Sequence, residues 1–296
     1  MGKGDRIRER NARERIAFQQ AAARKAEARR RAFLAFGSII AVLAVVVVLI
    51  VVKNLQKPAK AAADVAASQQ TVAQKITSVP ASDFNTAGKG TASPMVPTKG
   101  KLPVLTSGGK PEILYVGAEY CPYCAAERWA LTAALSRFGT FSGLHFIHSS
   151  STDVYPSTPT LTFYTSTYTS KYVDFEPVEL EGTTEGVALQ KPTSAQSALF
   201  EKYDAPPYVP TADKGAFPFI DFGNQYLVLG AQYIPSDLSK LTWAQVAADM
   251  RSPSSKVGQD IDGAANSITA AICKITKDAP AAVCTSPAVT AGGGLL

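Results

Sequence analysis

Histidine is almost missing from this chain of 296 residues: there are two, His145 and His148, with four cysteines and three methionines. On a strand-like run, residues three apart point to opposite faces. Their distance from the Cys121–Cys124 pair also exceeds that of a zinc finger, so the pattern argues against a Cys/His metal centre. Charge is missing from residues 33–52, which contain no Asp, Glu, Lys or Arg. An excess of positive charge is missing beyond residue 32. Residues 1–32 hold 11 of the 30 Lys/Arg and 4 of the 24 Asp/Glu, a net of +7, which leaves 19 basic against 20 acidic residues. The overall +6 therefore belongs to the first segment and is no sign of nucleic-acid binding by the remainder, for which the expectation is no nucleic-acid partner. No internal repeat is evident.

The uncharged run Phe33–Val52 is dominated by Val, Ile, Leu and Ala. At helical rise it is long enough to cross a hydrocarbon core of about 30 Å, and it reads as one transmembrane helix. Arg24, Lys25, Arg29, Arg30 and Arg31 crowd its first flank, whereas Lys53 and Lys57 are the nearby cations beyond it. This asymmetry places the N-terminus in the cytoplasm and the rest of the chain outside. The alternative is a cleaved signal peptide with Ala59-Lys60-Ala61 as its site, against which the length of the run counts. Residues 1–32 then form a basic helical tail whose cations face anionic membrane lipid. Residues 53–110 read as a stalk and, from about residue 79, a linker rich in Pro, Gly, Ser and Thr.

The stretch Glu112–Gly117 is a short apolar run of the kind that forms a buried strand, and it leads into Cys121-Pro122-Tyr123-Cys124. Two thiols spaced this way at the start of a helix can bridge without distorting the turn, so they can cycle between dithiol and disulfide. Cys121 is the better nucleophile, because unpaired N–H groups and the positive end of the helix dipole favour a thiolate there. Cys124 then resolves the mixed disulfide. Pro122 suits the first turn, where its missing N–H is not needed. Tyr120 and Tyr123 are candidates for a peptide-binding patch. Trp129 reads as core, and Glu119 and Glu127 as either proton relays or solvated charges.

Helical spacing of Trp129, Leu131, Leu135 and Phe138 predicts a helix over 125–138, and Leu144–His148 predicts a second strand, giving a βαβ start to a parallel sheet. Residues 150–190 read as an insertion with a hairpin or half-exposed edge strands. Thr193 is placed as the N-cap of a short helix ending before Pro206-Pro207. Phe217–Val228 reads as a hairpin around Gly223-Asn224. Helices over 241–250 and 256–277 close an α/β domain spanning 111–285, and 286–296 reads as a flexible tail. Cys273 and Cys284 lie outside any C-x-x-C spacing and are read as a structural disulfide.

The order of strand, Cys-x-x-Cys helix, βα elements, Pro218 at the head of a hairpin, and terminal helix resembles the thioredoxin fold over about residues 110–280. Pro-Tyr between the cysteines is also the glutaredoxin dipeptide. That resemblance implies a cis Phe217-Pro218 bond facing the dithiol and a peptide-binding role for both residues. The blocks Tyr115–Trp129 and Pro218–Asp221 are similar to a membrane-anchored family, domain of unknown function 929. Tyr120 departs from the tryptophan that usually precedes the first cysteine in thioredoxins.

These features together predict a membrane-anchored thiol–disulfide oxidoreductase acting outside the cytoplasm on exported protein thiols. The cysteine pair carries the electrons, so the expectation is no dissociable cofactor and a membrane thiol oxidase or reductase to reset the pair. The alternative is a tethered binding module in which the pair is a fixed staple. On the topology expected here, protease added to cells with a permeable outer envelope digests the domain holding Cys121. Protection until the membrane is broken would reverse the orientation.

Overall fold

Apolar residues join the core well before the first strand of the expected domain. The computed structural model describes residues 65–296, and residues 67–296 form one unit. The basic tail of residues 1–32, the apolar run 33–52 and the stalk as far as residue 64 lie outside the described residues. Among the described residues no helix is long and apolar enough to cross a membrane. A helix ending at residue 77 (α1) buries Val72 and Ile76. It is followed by α2 (Ala81–Ala87), β1 (Val96–Pro97) and β2 (Thr106–Ser107). Residues 79–110, expected to be linker, thus belong to the folded unit: Phe84, Ala87, Ala92 and Met95 are buried. The polar composition concealed this, because a few spaced apolar side chains, with Val79, Val96, Leu102 and Val104 partly buried beside them, are enough to seat a segment that is otherwise largely polar.

The strand β3 (Lys110–Gly117) runs into α3 (Pro122–Leu135), as the sequence predicts. After α3, β4 (Gly139–Ser142) and β5 (His145–His148) pair antiparallel not with β3 but with later strands of their own. β5 pairs with β6 (Pro159–Thr162) and β4 with β7 (Thr167–Ser170), forming two small separate sheets. The parallel partner of β3 is β8 (Asp174–Glu179), in register from Glu112↔Asp174 to Gly117↔Glu179. The expected βαβ start over 144–148 is therefore corrected, and so is the insertion. Residues 139–170 form the added element, while 174–179 is a strand of the main sheet, paired with β3. β5 buries only Phe146, too little apolar surface for a place beside β3 in the main sheet, whereas β8 buries Phe175, Val178 and Glu179. β6 is buried along its whole length, contrary to its half-exposed reading. Its hydroxyls find local partners, so they tolerate burial: Thr160 Oγ1 donates to the Ala125 carbonyl at 2.8 Å.

The helix α4 (Ser194–Tyr203) is held by a capping box between Thr193 and Gln196, an arrangement whose loss costs about 1 kcal/mol. The hairpin β9 (Phe219–Phe222) and β10 (Tyr226–Leu229) turns through Gly223 and Asn224, both at positive φ. α5 (Trp243–Asp249) and the twenty-residue α6 (Lys256–Ile275) follow, then α7 (Ala281–Cys284) and α8 (Pro287–Gly293). The tail expected to be flexible instead packs: Ala288, Val289 and Leu295 are buried, and the Leu295 carbonyl accepts from Met95 N at 2.8 Å. Cys273, on α6, is disulfide-bonded to Cys284, on α7.

The central mixed sheet runs β1-β10-β9-β3-β2, with β8 alongside β3. Alternation along β3 divides the core in two. Ile113 and Tyr115 join the large cluster with α3 and α6, and Leu114 and Val116 join Tyr203, Phe219 and Leu227 beneath α4. The chain is thus a mixed α/β fold with helices on both faces of the sheet. α3 is rich in alanine, which favours the helix, and nearly every one of its residues is buried. A helix enclosed on all sides carries little amphipathic signal. Where α6 crosses the loop after α2, a Cβ on Gly263 would sit 2.6 Å from the Lys89 carbonyl, so the close approach requires glycine.

Asp262 is buried on α6 with neither carboxyl oxygen paired among the described residues. Burial first, and Asp83 second, push its acid up from 3.8 to about 8. The folded state therefore keeps a proton that the unfolded chain gives up above about pH 4, and stability falls as pH rises from there towards 8. Asp262→Asn removes this ionisation while keeping the shape. Its melting temperature relative to wild type should rise across the range from about pH 5 to about pH 9. A constant difference over that range would contradict the assignment.

Candidate active site

The site is built where β3 ends. Gly117 and Ala118 leave the sheet, Cys121 takes an extended backbone as N-cap of α3, and Pro122 opens the first turn. The Cys121 Sγ occupies the position normally taken by a serine or aspartate oxygen and accepts from Cys124 N at 3.3 Å. Both thiols are free, Cys121 6% exposed and Cys124 fully buried. A hydrogen bond from the Cys124 thiol, aided by the backbone N–H groups and the Arg128 charge, pulls the Cys121 thiol below its ordinary value against the cost of burial. Burial pushes the Cys124 thiol well above its own. One sulfur is prepared to be a thiolate and its neighbour to be a thiol, the division of labour that thiol–disulfide exchange requires.

The residues singled out from sequence converge here. Phe217-Pro218 is a cis bond, and the Phe217 carbonyl lies 3.7 Å from Cys121 Sγ. Tyr120 packs edge-on to Phe217, their ring centroids 6.1 Å apart. Tyr123, 40% exposed, packs edge-on to Tyr155 from the added element. Ser150 N donates to the Tyr120 carbonyl at 2.8 Å, so that element is tied directly to the cysteine loop. Beside Tyr123 and Tyr155 a cavity of about 400 Å³ opens, bounded also by Gln232, Ile234 and Lys256. Cys273 and Cys284 are joined to each other, away from this cluster. His148 packs on Trp243 with centroids 4.7 Å apart, and among the described residues no three His, Cys, Asp or Glu side chains are grouped to hold a metal.

The two acidic residues flanking the motif are not solvated. Glu119 is nearly buried and Glu127 entirely so. Glu127 accepts from Gln232 N at 2.9 Å, and burial raises its acid to about 7. Trp129 is core as expected, its Nε1 donating to the Pro159 carbonyl at 3.0 Å. Sequence reasoning missed the buried pair Arg128–Glu179, joined by Nε to Oε1 at 2.8 Å and Nη2 to Oε2 at 2.7 Å. Burial opposes the Arg128 charge, and Glu179 more than restores it. The available signal was an arginine one helical turn past Cys124, which with Glu127 makes the only charged pair on a helix otherwise made mostly of small and apolar residues.

The geometry sets an order of reactivity. With iodoacetamide, Cys121 should be modified before Cys124, and its rate should reach half-maximum at a pH below the ordinary thiol value of 9.0. Peptide mapping at each pH checks both points, and faster labelling of Cys124 would invert the assignment.

No curated protein and no solved structure matches the chain. Residues 102–274 match a family described only as Domain of unknown function (DUF929). The match takes in the approach to β2, both thiols, Phe217-Pro218 and nearly all of α6, and it stops before Cys284. Since it covers more than half of the sequence, the chain belongs to the DUF929 family.

Proposed function

We propose that this protein is a membrane-anchored thiol–disulfide oxidoreductase that acts outside the cytoplasm on thiols of exported proteins. The observation that carries the reading is the capping geometry of Cys121, whose sulfur accepts from Cys124 N at 3.3 Å and faces the carbonyl of Phe217. Strand order supports a thioredoxin-like reading of the domain. The dithiol strand β3 is flanked by parallel β8 on one side, and by antiparallel β9 and then β10 on the other, with the cis proline at the head of β9.

In the reducing direction, the Cys121 thiolate attacks one sulfur of a substrate disulfide, forming the mixed disulfide and releasing the other substrate sulfur as thiolate. Cys124 then attacks the Cys121 sulfur. Its proton goes to the departing substrate sulfur, so the substrate gains two electrons and the enzyme pair becomes a disulfide. The oxidising direction is the same sequence reversed. A membrane thiol oxidase or reductase returns the pair to its starting state. The cavity beside Tyr123 gives room for polypeptide flanking the reacting cysteine, and the aromatic edges of Tyr120 and Phe217 offer it apolar contact. Anchoring through residues 33–52 would hold this surface next to newly exported chains.

Cys124→Ser leaves the attacking sulfur without its resolving partner. Full-length protein carrying it should accumulate mixed disulfides with exported proteins that disappear on reduction and are absent from Cys121→Ser. Folded Cys124→Ser protein that traps nothing, while wild type fails to equilibrate with glutathione, would rule out the redox reading.

A further inference from the structure

Arg128 follows Cys124 by four residues on α3, and residues so spaced lie on one helix face. Its guanidinium is spent in an uneven way. One edge is engaged by Glu179, and Nη2 also donates to the Ala118 carbonyl at 2.7 Å. That carbonyl accepts the Cys121 N–H at 3.3 Å as well, and Ala118 packs against both cysteines. Among the described residues, the remaining nitrogen, Nη1, is buried without a partner, and so is the Tyr115 hydroxyl from the strand below. The Arg128 Cζ lies 5.9 Å from the Tyr115 ring centroid, and the hydroxyl of Tyr115 fills the space that a Cβ on Gly117 would need.

A buried ion pair is an expensive way to fill a core, since an apolar pair of equal volume is often at least as stable. Leaving one guanidinium nitrogen unpaired raises that cost. Both features make sense for a charge serving the thiols one residue layer away. The charge of Arg128 draws both Cys121 and Cys124 towards ionisation. We infer that Arg128 is a positioning residue for the dithiol: Glu179 and the Ala118 carbonyl fix its guanidinium under the motif, where it stabilises thiolate first on Cys121 and then, once a mixed disulfide has formed there, on Cys124. The inference rests on the redox reading of the pair, and it adds a residue outside the C-x-x-C motif to that chemistry.

Full-length Arg128→Met and Glu179→Gln proteins separate a charge effect from a structural one. Both unpair a buried group and both should lose stability. Their effects on Cys121 should nevertheless be opposite, as followed by thiolate ultraviolet absorbance against pH. Arg128→Met should hold about tenfold less thiolate at neutral pH, the effect of removing one close opposite charge. Glu179→Gln should hold more than wild type, and Arg128→Lys should stay near it. If a single variant fails to fold, the volume-matched double Arg128→Met/Glu179→Met decides, with a loss of thiolate smaller than that of Arg128→Met expected, because the opposing Glu179 charge goes with it. Wild-type titration of Cys121 in folded Arg128→Met or in the double variant would overturn the inference. Failure of wild type to exchange with glutathione would instead strike the redox reading, with the thiolate measurement still standing.

Discussion

The ion pair between Arg128 and Glu179 ties together the parts on which the site depends. Arg128 belongs to the helix that the dithiol begins, and Glu179 to the end of β8, directly opposite Gly117 in the parallel register. Their contact therefore fixes the height of α3 against the sheet, and the added bond to Ala118 fixes the loop between them. Sliding β8 by one residue would turn Glu179 to the opposite face of the sheet and leave a buried guanidinium unpaired, at a cost of about 3–5 kcal/mol. Hydrophobic alternation alone specifies this strand weakly, because both faces of β3 are buried. A charge pair supplies the discrimination that apolar packing lacks.

Burial of acids is a second theme. Glu127, Asp221 and Asp262 are all withdrawn from water, and desolvation raises each of them to about 7 or 8. Glu127 and Asp221 each accept one backbone N–H, from Gln232 and Asn224, and among the described residues keep one oxygen without a partner. Protonation is the cheaper state for such a group, because a neutral acid loses far less on leaving water than a carboxylate does. The helix that the dithiol begins thus carries one positive charge at Arg128, balanced by Glu179, and next to it in sequence Glu127, an acid whose ionisation burial opposes.

Much of this was legible in the sequence. β3, the helix start at Cys121, the Thr193 cap, the hairpin through Gly223-Asn224 and α6 all carry local signals: an apolar run, a cap, a turn dipeptide, helical periodicity. The errors share a cause, which is that membership of the core is decided by distant partners. His145–His148 looks like a sheet strand, yet it pairs with Pro159–Thr162, and nothing local to either segment says so. Residues 79–110 and 286–296 look like linker and tail because their few apolar residues are diluted, although Met95 and Leu295 join across the domain. Glu127 looks solvated because the Gln232 N–H that donates to it is more than a hundred residues away. At the site the same division holds: Cys121, Cys124 and Phe217-Pro218 are readable from motif and resemblance, whereas Tyr155, Arg128 and Glu179 depend on tertiary pairing.

The added element after α3 bears most directly on how the proposed reaction would choose its substrates. It reaches the motif through Ser150 and Tyr155, so the cysteine loop is walled on one side by Tyr123 and Tyr155 and on the other by Tyr120 and Phe217. Each wall is an edge-to-face aromatic pair, an arrangement that holds its geometry while leaving ring surface free for contact. Cys121 is only slightly exposed between them, so a folded surface that presents a disulfide flush with its neighbours could not bring sulfur to sulfur. An extended segment could, by laying its backbone along Phe217 and a flanking side chain into the cavity beside Tyr123. On the proposed reading the site therefore favours chains that have not finished folding, the state in which exported polypeptides still expose their thiols.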